Sequence, residues 1–274
     1  MSLSVRSPES VLLITLDSCR YDAFTEAAAP NIKALGPLYR AMAPGNFTYA
    51  SHAAIFMGFT PGVACIQEPF VNPKYAKFFR LAGGGRHSVV PDLFSLEGRS
   101  IIDGFAKRGY RTLGTGAVGW FDPSTPTGSV LASDFQEFYF IRKSGALREQ
   151  LAWLKEKLKT QNDPLFVFLN VGETHVPYYH EGAPWDAALN PCIPFGEHND
   201  AAKCRRRQIC CIEYVDRMLE PLLEVFSAGT TIICSDHGDC WGEEGLWEHG
   251  ISHEMTLAVP LLFRVPEHIG VNNA

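Results

Sequence analysis

A chain of 274 residues with 46% hydrophobic content can bury a substantial core, and its length suits one large α/β domain, residues 1–274, rather than several small ones. A formal charge of -6 excludes the broadly basic surface of a nucleic-acid binder, and no apolar run approaches the length needed to span a membrane. The eight cysteines form no CxxC pair, and with no signal-peptide pattern the expectation is reduced thiols in a cytoplasmic protein.

Strand-like apolar runs recur at 11–17, 110–117, 164–171, 230–236 and 259–265, with helical patterns between most of them. The clearest helix is expected over Ala146 to Lys159, where Leu147, Leu151, Leu154 and Leu158 share a face; a second is expected from about Gln208 to Phe226. Alternation of this kind predicts a three-layer α/β sandwich with a mainly parallel central sheet. The Pro- and Gly-containing segments 61–92 and 181–200 read as long excursions from that frame.

The first strand-like run ends in Asp17, and the run at 230–236 leads into Ser235-Asp236-His237-Gly238-Asp239. A carboxylate and an imidazole side by side at a strand end are a metal-site pattern, and parallel strands would put Asp17 and Asp236 on one rim, where open α/β sheets bind ligands. Between them lie Ala29-Pro30-Asn31 and then Asn46-Phe47-Thr48-Tyr49-Ala50-Ser51-His52, running on to Gly58-Phe59-Thr60-Pro61. Further on come Lys107-Arg108-Gly109-Tyr110, His175-Val176-Pro177, and His249-Gly250-Ile251-Ser252-His253 before Val259-Pro260.

Taken together and in this order over residues 11–265, these pieces resemble the alkaline phosphatase superfamily, most closely its sulfatase-like branch. The resemblance implies an alkaline-phosphatase-like fold, with Asp17, Asp236 and His237 as metal ligands and Thr48 as both nucleophile and ligand. It places His52, His175, His249 and His253 against the substrate. Sulfatases of this branch carry Cys or Ser in a C/S-x-P-S-R pattern so that it can be oxidised to formylglycine; here the segment reads Thr48-Tyr49-Ala50-Ser51-His52. Threonine cannot become formylglycine, so the members that use Thr or Ser directly on a phosphate ester are the better model. His52 in place of the pattern's Arg removes a fixed cation beside the nucleophile.

The expected activity is therefore a metal-dependent hydrolase or transferase acting on a small anionic ester, a phosphate ester, through Thr48, with zinc or manganese suited to an O/O/N ligand set. One ion is expected rather than two, because the segment before His175 lacks the Asp-x-x-x-His spacing of two-metal members; Glu173 with His253 is the remaining candidate for a second. Two other functions stay open: a sulfatase-like ester hydrolase without formylglycine, and a non-catalytic binding protein that keeps the fold. Plainer roles stay open too: helix caps for Asp17 and Thr48, Ser51 as a rival nucleophile, packed histidines for His249 and His253, a local ion pair for Arg20 and Asp22, and a solvated face for Lys203 to Arg207.

Overall fold

The computed structural model describes residues 9–58, 70–71, 99–159 and 163–266. Of the expected excursion 61–92, only Phe70–Val71 falls among them; the rest lies outside the described residues. Among the described residues eleven strands follow in chain order: β1 (Val11–Leu16), β2 (Tyr39–Met42), β3 (Phe70–Val71), β4 (Arg111–Gly116), β5 (Glu137–Phe140), β6 (Leu165–Val171), β7 (Thr230–Ser235), β8 (Cys240–Trp241), β9 (Trp247–Glu248), β10 (Ile251–Ser252) and β11 (Ala258–Arg264). Seven of them form one sheet in the order β2-β11-β7-β1-β6-β4-β5. The five from β7 to β5 are mutually parallel, whereas β11 runs antiparallel to both of its neighbours. A mixed α/β architecture with a mostly parallel central sheet is thus what the sequence predicts.

The burial pattern explains the layers. In β6 all seven residues are buried, as a central parallel strand with both faces covered requires. Leu165, Val167, Leu169 and Val171 point into one core with Leu12, Ile14 and Leu16 of β1, under the helices Tyr21–Glu26, Leu147–Leu158 and Ala201–Val225. Phe166 and Phe168 point the other way, joining Leu13 and the helices Thr48–Met57, Ile101–Lys107 and Pro126–Ala132. A period of two in the strands therefore divides the apolar side chains between two helical layers.

Two differences from the sequence reading have clear causes. The long helix spans Ala201–Val225 and so begins seven residues before the expected Gln208. Its first turn, Ala201-Ala202-Lys203-Cys204, carries no large apolar side chain to mark it, but Asp200 caps it by accepting from the Lys203 amide at 2.9 Å. The basic run there is not simply solvated: Arg205 pairs with Asp22 and Glu26, and buried Arg207 donates to the Leu189 carbonyl at 2.6 Å and lies over Trp185. Strands β2 and β5 escaped the sequence reading because neither buries a residue fully. The segment 181–200 holds no helix or strand, and it exposes Leu189, Ile193 and Phe195. Among the described residues no helix is long and apolar enough to cross a membrane.

Candidate metal and anion site

β1 and β7 pair in parallel with Leu16 opposite Ser235, so the next residues, Asp17 and Asp236, leave the sheet side by side at its carboxyl rim. The backbone then holds Asp236 in place: its Oδ1 accepts from the Ser18 amide at 3.1 Å and from the His237 amide at 3.0 Å. Ser18 takes up a left-handed φ of 57° to make that turn. Gly238 is required on the far side, because a Cβ there would stand 2.2 Å from the Met255 carbonyl oxygen.

Asp17, Asp236 and His237 are fully buried, and one ligand-type atom from each lies within 4.8 Å of the others. Asp17 does not cap a helix; the helix after β1 starts at Tyr21 behind Arg20. Its Oδ2 accepts from Asn170 Nδ2 at 3.1 Å, and its Oδ1 lies 3.4 Å from Thr48 Oγ1. Thr48 is the first residue of the Thr48–Met57 helix, and its hydroxyl is also 3.3 Å from His237 Nε2. His237 Nδ1 faces the Gly238 carbonyl at 3.0 Å, an acceptor only, so the proton sits on Nδ1 and the Nε2 lone pair points into the cluster.

The donor set fits a divalent cation. Asp236 Oδ2 is buried without a hydrogen-bond partner, and burial together with the Asp17 charge pushes the Asp236 carboxyl well up. Burial and the nearby His249 push the His237 imidazole down to about 3, so it is a neutral donor. Two crowded carboxylates, a free imidazole lone pair and an orphaned oxygen are what a cation relieves. In a second group, His237, Asp239 and His249, the ligand-type atoms also lie within 4.8 Å of one another. There both Asp239 oxygens are already engaged: Oδ1 by His249 Nδ1 at 2.8 Å and Oδ2 by the Tyr178 hydroxyl at 2.7 Å.

His175 and His249 stand at the open side. His175 Nε2 lies 4.0 Å from Asp17 Oδ1, and the His249 ring centroid is 5.2 Å from that of His175 and 4.6 Å from that of His237. Burial works against a charge on His249, but the Asp239 hydrogen bond and charge outweigh it and push the imidazolium up to about 9. Asp239 is in turn fixed by Tyr178, whose hydroxyl accepts from Trp241 Nε1 at 2.8 Å. Asp239 and Tyr178 carried no role in the sequence reading. The only signal was the position of Asp239 two residues after His237 in the quoted motif.

Three other expectations meet a different geometry. His52 does not face substrate: it is fully buried in a box of Phe56, Phe121 and Phe168. Its Nδ1 donates to the Thr48 carbonyl at 2.8 Å and its Nε2 meets the Thr15 hydroxyl at 2.9 Å. Burial pushes its imidazole down to about 4, so His52 is a neutral brace one turn behind Thr48. His253 does not reach the cluster either; its Nδ1 accepts from the Met255 amide to cap a short helix, and its Nε2 lies 2.7 Å from Glu244 Oε2. Ser51 is tied up as well, donating to the Asp236 carbonyl at 2.6 Å.

Glu173 is fully buried, with Oε1 accepting from the Leu147 amide at 2.7 Å and Oε2 unpartnered. It belongs to none of the metal-type groups among the described residues. Burial pushes its carboxyl up to about 7. Because the folded state holds this proton more tightly than the unfolded chain does, the group costs nothing below its ordinary value and withdraws about 3 kcal/mol once pH exceeds about 7. Glu173→Gln, whose NH2 lacks a partner, is expected to recover about 1–2 kcal/mol at pH 8 and nothing at pH 4.5. Urea unfolding of both proteins at the two pH values measures this; an equal difference at both pH values would contradict it.

No family model matches the chain. A segment of 162 residues is 27% identical to human iduronate 2-sulfatase, covering 43% of this chain and 30% of that protein. The fold is similar to the C-terminal periplasmic domain of a phosphoethanolamine transferase from Campylobacter jejuni, with a TM-score of 0.63, 16% identity, and 96% and 82% of the two chains covered. The periplasmic domain of EcEptC from Escherichia coli, in complex with Zn, superposes with a TM-score of 0.58 at 14% identity over 97% and 75% of the chains. The fold is that of the alkaline phosphatase superfamily. Within that class, the chain is similar both to a sulfatase and to phosphoethanolamine transferases.

Proposed function

We propose that the chain is a metal-dependent hydrolase or transferase acting on a phosphate ester, with Thr48 as nucleophile. The observation that carries this reading is the convergence of the Thr48 hydroxyl with Asp17, Asp236 and His237 around the orphaned Asp236 Oδ2. Asp17, Asp236, His237 and Thr48 would hold one zinc or manganese ion. When bound, such an ion lowers the pKa of a coordinated hydroxyl and draws charge from an attacked phosphoryl group. A single ion is favoured because Glu173 and His253 belong to no metal-type group among the described residues, and Asp239 Oδ2 is taken by the Tyr178 hydroxyl. The Zn complex of EcEptC lends zinc support.

The chain's own residues supply the rest. Thr48 opens the helix Thr48–Met57, so the positive end of the helix dipole lies beside the nucleophile. His52 anchors the Thr48 carbonyl from behind and fixes the direction of that first turn. In front, His249 carries its proton at neutral pH and, with His175, neutralises charge on the transferring group. The phosphoryl group forms a bond to Thr48 Oγ1 as the bond to the leaving oxygen breaks, and water or an acceptor alcohol then takes it from Thr48.

The likeness to iduronate 2-sulfatase favours a second reading, a sulfate ester, while Thr48 in the formylglycine position weighs against it. Metal analysis of the purified protein combined with 4-nitrophenyl phosphate, bis(4-nitrophenyl) phosphate and 4-nitrophenyl sulfate separates the two. About one ion per chain is expected, with phosphate-ester turnover that a chelator abolishes and the added ion restores. Turnover of the sulfate alone would favour the second reading. A metal-free protein inert on all three esters would leave a binding protein.

A further inference from the structure

A cavity of about 380 Å³ opens directly onto the two outward histidines, a volume in the range of small-ligand pockets. Its lining takes in His175, His249 and Trp120, together with Arg142, Lys143 and Ser144 from the segment after β5. We infer that the organic part of the substrate carries a second anionic group, a carboxylate, sulfate or phosphate, held by Arg142 with Lys143 and Ser144. This rests on the phosphate-ester reading above and names the class of ester that the site accepts.

Four observations lead there. Arg142 is exposed, has Asp122 as a distant electrostatic neighbour, and makes no ion pair among the described residues. Lys143 is held by Glu149, so its charge is placed but partly spent. A guanidinium at a cavity rim with no ion pair among the described residues matches the planar geometry of an oxyanion. Trp120 is buried to 8% exposure, with its ring centroid 5.8 Å from Phe47 and 6.0 Å from Tyr49. It therefore offers the cavity a rigid apolar surface, suited to a ring or short chain linking two anionic groups. Glu248 also lines the cavity, next to His249, whose cation its charge supports. That carboxylate repels a second anion at the histidine end and favours the Arg142 end for it.

Phenylphosphonate and 4-carboxyphenylphosphonate test this by titration calorimetry on the metal-loaded protein, since neither is hydrolysed and binding is read apart from turnover. The wild type is expected to bind the carboxylated ligand about tenfold more tightly, the worth of one charge-assisted hydrogen bond at a partly exposed site. Arg142→Ala is expected to erase that preference and Arg142→Glu to reverse it, with phenylphosphonate affinity unchanged in both. Equal binding of the two ligands by the wild type, or a preference that survives Arg142→Ala, overturns the inference while leaving the phosphate-ester reading intact. Failure of both ligands to bind overturns both. A preference abolished by Arg142→Ala in a protein that hydrolyses no phosphate ester keeps the subsite and rejects the activity.

Discussion

Thr48→Ala is expected to lower turnover of a 4-nitrophenyl phosphate ester by on the order of ten-thousand-fold, the scale on which loss of a covalent nucleophile is felt. Three donors remain in that variant, Asp17, Asp236 and His237, so bound metal is expected to persist near the wild-type amount. Thr48→Ser keeps the hydroxyl and is expected to retain much of the rate. Acid quenching during turnover should trap phosphate on residue 48 of the wild type. Ser51→Ala is the sharp control, because the Ser51 hydroxyl is buried against the Asp236 carbonyl and has no path to substrate. Full activity in Thr48→Ala with loss in Ser51→Ala would move the nucleophile to Ser51 and sink the assignment.

The second large effect concerns stability. Arg20 is only 3% exposed and reaches five groups at once, one of them Met255 Sδ at 2.9 Å. It makes paired contacts to Asp22 at 2.9 and 2.8 Å, an ion pair to Glu243 Oε1 at 2.7 Å, a bond to the Asp239 carbonyl at 3.2 Å, and a face-on contact with Trp241 at 4.0 Å. The local ion pair expected from the sequence is one arm of a hub that ties the start of the first helix to the loop after β7. Arg20→Ala leaves Glu243 without its cation and Asp22 with Arg205 alone, and is expected to cost about 3 kcal/mol, the lower end for a broken buried pair because Asp22 and Glu243 keep partial solvent access. The urea midpoint reads that loss. The loss would be accompanied by weaker catalysis, since the same hub steadies the Asp239 backbone beside His249. A change below about 1 kcal/mol would mean that the pairs are worth no more than surface ones.

The central strands were legible because burial on both faces writes a continuous apolar run, as in β1 and β6. Strand β2, exposed at three of its four positions, carries no such signal; its place is set by pairing with β11. The rim position of Asp17 and Asp236 followed from parallel strands alone. The histidines did not sort themselves in the same way. His52 lies one helical turn after Thr48, and nothing in the spacing says that this direction runs into a box of aromatic rings. His253 is drawn into a cap by the turn that follows it. Asp239 gains its meaning from Tyr178 and Trp241, one of them 61 residues away in the chain, and Arg142 from a cavity wall built by other segments. Such contacts arise only once the layers are stacked.

The pairing of β1 with β7 joins residues that begin and nearly end the described chain, with Leu16 set against Ser235. Asp17, Asp236 and His237, the proposed cation donors, therefore come together only when the middle of the sheet is closed, and fraying of the outer strands β2 and β5 leaves them together. By mass action, an ion held there at a hundred times its dissociation constant would add about 2.7 kcal/mol to the stability of the whole domain. Loss of the ion would then be felt as a lower barrier against global opening, not as the loosening of one loop.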